Sequence, residues 1–264
     1  MRDADSMKDD IPTICAICVV ALIIATMLHE GLGHGALALL TGATSGTLST
    51  VAWSSVYDSR LVAAGGTLVN LASGLVFWIA LPAARNVSAT MRFFLLIACA
   101  FNLFTGTGYF FFSGVTNFGD WAQVIAGMHP YWLWRMLLIV GGMAAYYEAM
   151  RMIAIGLVRY LGVSQSDHGR IRRLMWVPYF AAIIIEVVAG LRNPLGIALV
   201  FESALPATAG ANCALLFLIY YAPKSTAPGP DHQPVERSYA WIAIATVLAM
   251  FFIVVVGPGI KIQR

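Results

Sequence analysis

Residues 12–41 read PTICAICVVALIIATMLHEGLGHGALALLT. The run exceeds the ~20 apolar residues that a transmembrane helix needs. Its only ionisable side chains are the cysteines and a cluster of three, His29, Glu30 and His34. Six further apolar runs follow outward from it, at 61–84, 92–114, 131–157, 175–191, 195–221 and 239–257. The fifth is short, and the alternative is that 175–221 forms one broken pair packed around Arg192-Asn193-Pro194. In hydrocarbon every backbone group must be bonded internally, which leaves helices or a closed barrel. These runs are too long and too evenly apolar for barrel strands. The expected fold class is therefore all-α, a polytopic transmembrane helical bundle of six or seven spans forming a single membrane domain over 1–264.

Composition agrees with a lipid-bilayer protein. Of the 264 residues, 59% are hydrophobic and 11% charged, against about 25% charged in soluble domains. The net charge is +3, and no basic cluster is large enough to suggest nucleic acid as a partner. Cys15, Cys18, Cys99 and Cys213 all lie in apolar segments and read as small core residues. Cys15 and Cys18 share a helix face, but no second pair completes a structural zinc site. The N-terminus, MRDADSMKDD, does not resemble a cleavable signal, so the first span is expected to stay in the mature chain.

Two stretches between spans differ from the rest. ATSGTLSTVAWSSVYDSR (43–60) is rich in Ser, Thr, Val and aromatic residues with partial alternation, and reads as a short hairpin or interfacial loop. APKSTAPGPDHQPVERS (222–238) is a Pro-rich polar linker. With seven spans, the N-terminal side holds ten Lys and Arg, counting Arg92 at the very start of the third span, and the opposite side four. The positive-inside rule then makes the N-terminus cytoplasmic.

Ionisable and amide side chains inside spans are costly, and each is a functional hypothesis. Besides the first-span cluster they are Asn70, Asn102, Glu148 with Arg151 three residues on, Glu186 and Glu202, with Asp120 just after the third span. His129, His168 and His232 fall in expected loops and read as solvated. A single histidine on an apolar helix usually packs and hydrogen-bonds. His, Glu and His within six residues instead suit a metal: neutral imidazoles ligate zinc, and a neighbouring glutamate can take a proton from water. The familiar H-E-x-x-H spacing puts both histidines on one face. Here they are five apart and would diverge by about 140° on a regular helix. A one-residue π-type widening would bring them back together, and Gly31 and Gly33 would ease it. Dipeptidyl peptidase III is similar in this respect, with an H-E-L-L-G-H zinc motif of the same length.

HEGLGHGALALLTG resembles the first motif of the site-2 protease family of membrane-embedded zinc metallopeptidases, H-E-x-G-H on a transmembrane helix. AGGTLVNLASG (64–74) resembles that family's G-P-x-x-N stretch, and TNFGDW (116–121) its N-x-x-P-x-x-L-D-G region. The resemblance covers roughly residues 20–125. This chain departs from the pattern by one extra residue in the first motif, by Gly66-Thr67 in place of Gly-Pro, and by an aspartate in G-D-W with no proline before it. The resemblance implies a zinc ion (Zn2+) held by His29, His34 and Asp120, with Glu30 as general base and Asn70 as a substrate or oxyanion contact. It also implies a metalloprotease core over 12–125 with additional helices over 131–257. The substrate class implied is a membrane-spanning or membrane-adjacent protein or peptide.

Spans one and three run in the same direction, so the ends carrying His29, His34 and Asp120 share one side of the membrane. The charge count makes that side the outer one, whereas the family implies a cytoplasmic site. The compact chain suits a prokaryotic plasma membrane. Two other readings remain open on the residues alone. One is a transporter or scaffold whose intramembrane charges line a pathway or hold helices together. The other is a relative that binds zinc but does not cleave.

Overall fold

The computed structural model describes residues 8–163, 167–194, 197–222 and 233–264. His232, Arg2 and Lys224, and most of the Pro-rich linker, lie outside these. Among the described residues, seven helices are long and apolar enough to cross a membrane. They are α1 (Ile11–Thr41), α2 (Arg60–Asn86), α3 (Ala89–Thr116), α5 (Tyr131–Leu161), α6 (His168–Gly190), α7 (Ile197–Tyr220) and α8 (Tyr239–Val256). A short helix, α4 (Asp120–Val124), follows α3. The chain is an all-α, multi-pass membrane protein. The fifth span, α6, is a full helix beginning at His168 rather than near 175, and 175–221 covers two separate spans. His168 therefore opens a helix instead of lying in a loop, though it is exposed.

Helix starts carry the side chains that unsatisfied first-turn N–H groups require. Asp10 Oδ2 accepts from the Thr13 N–H (3.1 Å) at the head of α1. Ser59, Ser88, Asp167 and Ser238 do the same for α2, α3, α6 and α8. Asn117 (φ 57°) ends α3 and Gly162 (φ 62°) ends α5, both in the left-handed conformation that closes helices.

α3 is the hub. It packs against α1, α2 and α5, and its Phe93, Phe101 and Phe104 are fully buried with Ile14 and Ile17 of α1 and Ile153 and Leu157 of α5. The outer helices instead present large apolar side chains outward, such as Ile79 of α2 and Val247 and Val254 of α8, as a lipid-facing surface should. At the N-terminal face a buried polar knot ties four segments together. The Arg170 guanidinium reaches Asp9 (2.9 Å), Leu161 O (3.0 Å) and Gln233 O (2.8 Å), and Asp9 Oδ1 accepts from the Val235 N–H at 2.9 Å.

At the opposite face, 43–60 forms the expected hairpin, β1 (Ser45–Leu48) with β2 (Trp53–Ser54). A third strand not anticipated from the sequence, β3 (Ile260–Gln263), pairs antiparallel with β1, giving the order β2-β1-β3. Leu48 sits opposite Trp53 on one side and Ile260 on the other. The sheet lies over the C-terminal part of α1, where the polar cluster is.

Candidate metal centre

The helical repeat changes inside α1. Ile11–Met27 is α-helical, Leu28–Ala36 is π-helical, and Leu37–Thr41 returns to α. Hydrogen bonding from i to i+5 stacks residues five apart as an α-helix stacks residues four apart. The rings of His29 and His34 therefore stand 4.8 Å apart, edge to face. Both are buried, at 4% and 7% exposed. Close packing makes this possible: a Cβ on Gly33 would overlap the Gly66 backbone, and one on Gly66 would overlap the Nε2 atoms of both histidines. The second glycine of AGGTLVN is thus the floor of the centre.

The outward nitrogens are held from behind. His29 Nδ1 meets Asn70 Oδ1 at 2.5 Å and His34 Nδ1 meets Val62 O at 2.8 Å. The Asn70 amide nitrogen donates to Ala25 O (3.1 Å) and Asn102 Oδ1 (2.8 Å). That network fixes which end of the amide faces the ring. Asn102 in turn donates to Ala98 O at 2.8 Å. Asn70 is fully buried, with its oxygen and amide nitrogen both engaged, so in this structure it supports His29 and does not line the cleft.

Asp120, in the first turn of α4, closes the centre from the far side. Its Oδ2 lies 3.2 Å from His29 Nε2 and 3.4 Å from His34 Nε2. Ligand atoms from the three residues all fall within 4.8 Å of one another, and they are the single such His/Cys/Asp/Glu group among the described residues. Metal bonds of about 2.0–2.1 Å in a tetrahedron imply ligand edges of about 3.3 Å, close to both His–Asp separations. Backing acceptors at Nδ1 leave each Nε2 to point inward, the arrangement usual for metal-bound histidine. The residues therefore fit a divalent metal such as zinc. Burial pushes the Asp120 carboxyl up, but hydrogen bonds from His29 and His34 and their charge outweigh it and hold it well below the usual carboxylate range. Each imidazole has an acceptor at both nitrogens, so the centre is built around positive charge.

Glu30 stands beside this group, 8% exposed. Its Oε2 accepts from the Trp53 N–H of β2 at 2.8 Å, which ties the sheet to the centre. Tyr109 of α3 stacks on His29, with ring centroids 4.9 Å apart. Glu30, His34 and Asp120 open onto a cleft of about 990 Å³ between the hairpin, α3, α5 and α7. Behind it a small cavity of about 30 Å³ touches Glu30, His29, Thr26 and Glu186. The second half of the chain, beyond the reach of the sequence motifs, thus forms one wall of the cleft.

The remaining polar residues lie elsewhere or at its edge. Glu148 and Arg151 pair with each other (2.9 Å) on an exposed face of α5. Glu202 lines the cleft. Glu186 is buried with Thr26 Oγ1 at 3.5 Å. The four cysteines are free, and Cys18 donates to Pro178 O. Tyr109, Trp53 and Val62 were not singled out by sequence. One aromatic in the run YFFF (109–112) and one backbone carbonyl carry no local signal. Neither family models, curated proteins nor solved structures give a match to this chain.

Proposed function

We propose that this protein is a membrane-embedded zinc metalloprotease related to the site-2 protease family, acting on membrane-spanning or membrane-adjacent polypeptides. The observation that carries this reading is the convergence of His29 Nε2, His34 Nε2 and Asp120 Oδ2 beside Glu30 at the head of a cleft. A zinc ion bound by these three would acidify water and polarise a substrate carbonyl. Glu30, one oxygen steadied by the Trp53 N–H, takes the proton from the attacking water and hands it to the departing amine. Asn70 and Val62 hold the two imidazoles in the ligating tautomer. Tyr109 covers His29 and limits water on that side. The chain's charge bias supports a cytoplasmic N-terminus.

The test begins with metal content of detergent-purified protein. About one zinc per chain is expected, lost in His34→Ala. Glu30→Gln should keep its zinc and lose cleavage of apolar peptides by at least about 100-fold. Purified wild-type protein that takes up no zinc even when zinc is supplied would overturn the reading.

A further inference from the structure

The cleft's charge is one-sided. Among the described residues its charged lining consists of Glu30, Asp58, Asp120 and Glu202, with no lysine or arginine. Glu30 and Asp120 belong to the centre itself. Among the described residues, Asp58 bonds only the neutral amide of Gln123. Glu202, exposed in the π-helical turn Val200–Ala204 of α7, has no hydrogen bond or ion pair among the described residues. Its neighbour Ser203 is anchored instead, donating to Val51 O at 2.8 Å. Of the basic residues at this end, Arg60 bonds Ala126 O, Arg135 bonds Gly114 O and Val115 O, and Arg264 bonds Leu39 O; neither these nor Arg192 and Lys261 line the cleft. An unpaired carboxylate within a membrane span marks a substrate path and calls for a cation.

The rest of the cleft is apolar. Phe111, Phe112, Met143, Tyr146 and Met150 line its reach along α3 and α5, while Asp58 and Glu202 lie near the hairpin end. We propose that the cleft selects a polypeptide segment that is apolar along the helices and carries a lysine or arginine at the hairpin end, with Glu202 and Asp58 as its counter-charges. This deepens the protease reading and rests on it for the choice of a polypeptide as ligand.

The test uses binding, so that it does not depend on cleavage. Fluorescence anisotropy would be measured on full-length Glu30→Gln protein in detergent. The probes are labelled apolar peptides identical except for Lys, norleucine or Glu at one position, scanned along the segment. At one position the Lys peptide should bind about tenfold tighter than norleucine, and the Glu peptide weaker than both. The preference should shrink with added salt. Glu202→Gln should reduce the preference, and Glu202→Lys should reverse it toward the Glu peptide. Unchanged gel-filtration and thermal profiles would certify that these exposed-site variants fold. Equal binding of Lys and norleucine peptides at every position would overturn the inference, as would no binding by any peptide. So would a Lys preference that survives Glu202→Gln combined with Asp58→Asn. A protein that cleaves with zinc but shows no charge preference loses this inference alone. One that prefers Lys peptides but holds no zinc loses the protease reading alone.

Discussion

Each imidazole of the centre is held at Nδ1 by a protein acceptor, and for His29 that acceptor is itself held by Asn102 and Ala25 O. Asn70→Leu removes the grip on His29 without touching a ligand. Zinc affinity should fall 10- to 100-fold, read by competition with a chromophoric chelator. Asn102→Leu leaves the Asn70 amide one partner short and should cost about 1–3 kcal/mol of stability. Proton competition at the centre has a definite sign. Asp120, with its folded value depressed below 3.8, adds stability that is fully present above its unfolded pKa and is lost progressively as pH falls from there through the folded one. The imidazoles must be neutral to ligate. Protons therefore compete with the metal for both imidazoles, and zinc content should fall as the medium is acidified. Zinc retained by the wild type at pH 4 would contradict this. His29, Glu30, His34 and Asp120 were legible in the sequence because polar residues stand out against an apolar background. Tyr109 and Trp53 were not, since an aromatic residue in a membrane span has many ordinary uses.

At the scale of elements, the π-helical stretch Leu28–Ala36 does what a regular helix could not, and glycines from a second helix let it fit. Gly66→Ala should abolish zinc binding while circular dichroism stays helical, because its Cβ would occupy the space of both Nε2 atoms. Gly33→Ala should act less directly, by pushing α1 off α2, and should lower thermal stability as well. Equal zinc content in Gly66→Ala and wild type would refute the packing argument. The five-residue histidine spacing made the widening readable in advance, since α geometry would set the rings far apart. The hairpin too was partly legible, from its β-branched and aromatic residues in partial alternation, which left a hairpin or an interfacial loop. Strand β3 was not: IKIQ alternates over only four residues, and its partner β1 lies some two hundred positions earlier in the chain. Pairings that distant leave no local trace.

For the whole molecule, the seven spans were legible because hydropathy summed over about twenty residues outweighs any single position. Their neighbours were not, because every span is apolar all round and could pack against any other. What ties the far face together is the buried Arg170–Asp9 knot. Arg170→Met strands a buried carboxylate and should destabilise the fold by about 3–5 kcal/mol, seen as a lower thermal transition in detergent. The further change Asp9→Leu should recover part of it. Zinc content should be unaffected, as the knot and the centre are at opposite ends of the bundle. The sheet at the near end has a consequence in time. β1 and β2 emerge early in synthesis, but β3 emerges only after α8 has entered the membrane. The sheet that seats Trp53 against Glu30 is thus finished last. A nascent chain halted at Val256 should leave residues 43–58 open to limited proteolysis, whereas the chain carried through Gln263 should protect them. On this schedule the proposed hydrolytic centre stays unarmed while its own helices are still being threaded into the bilayer.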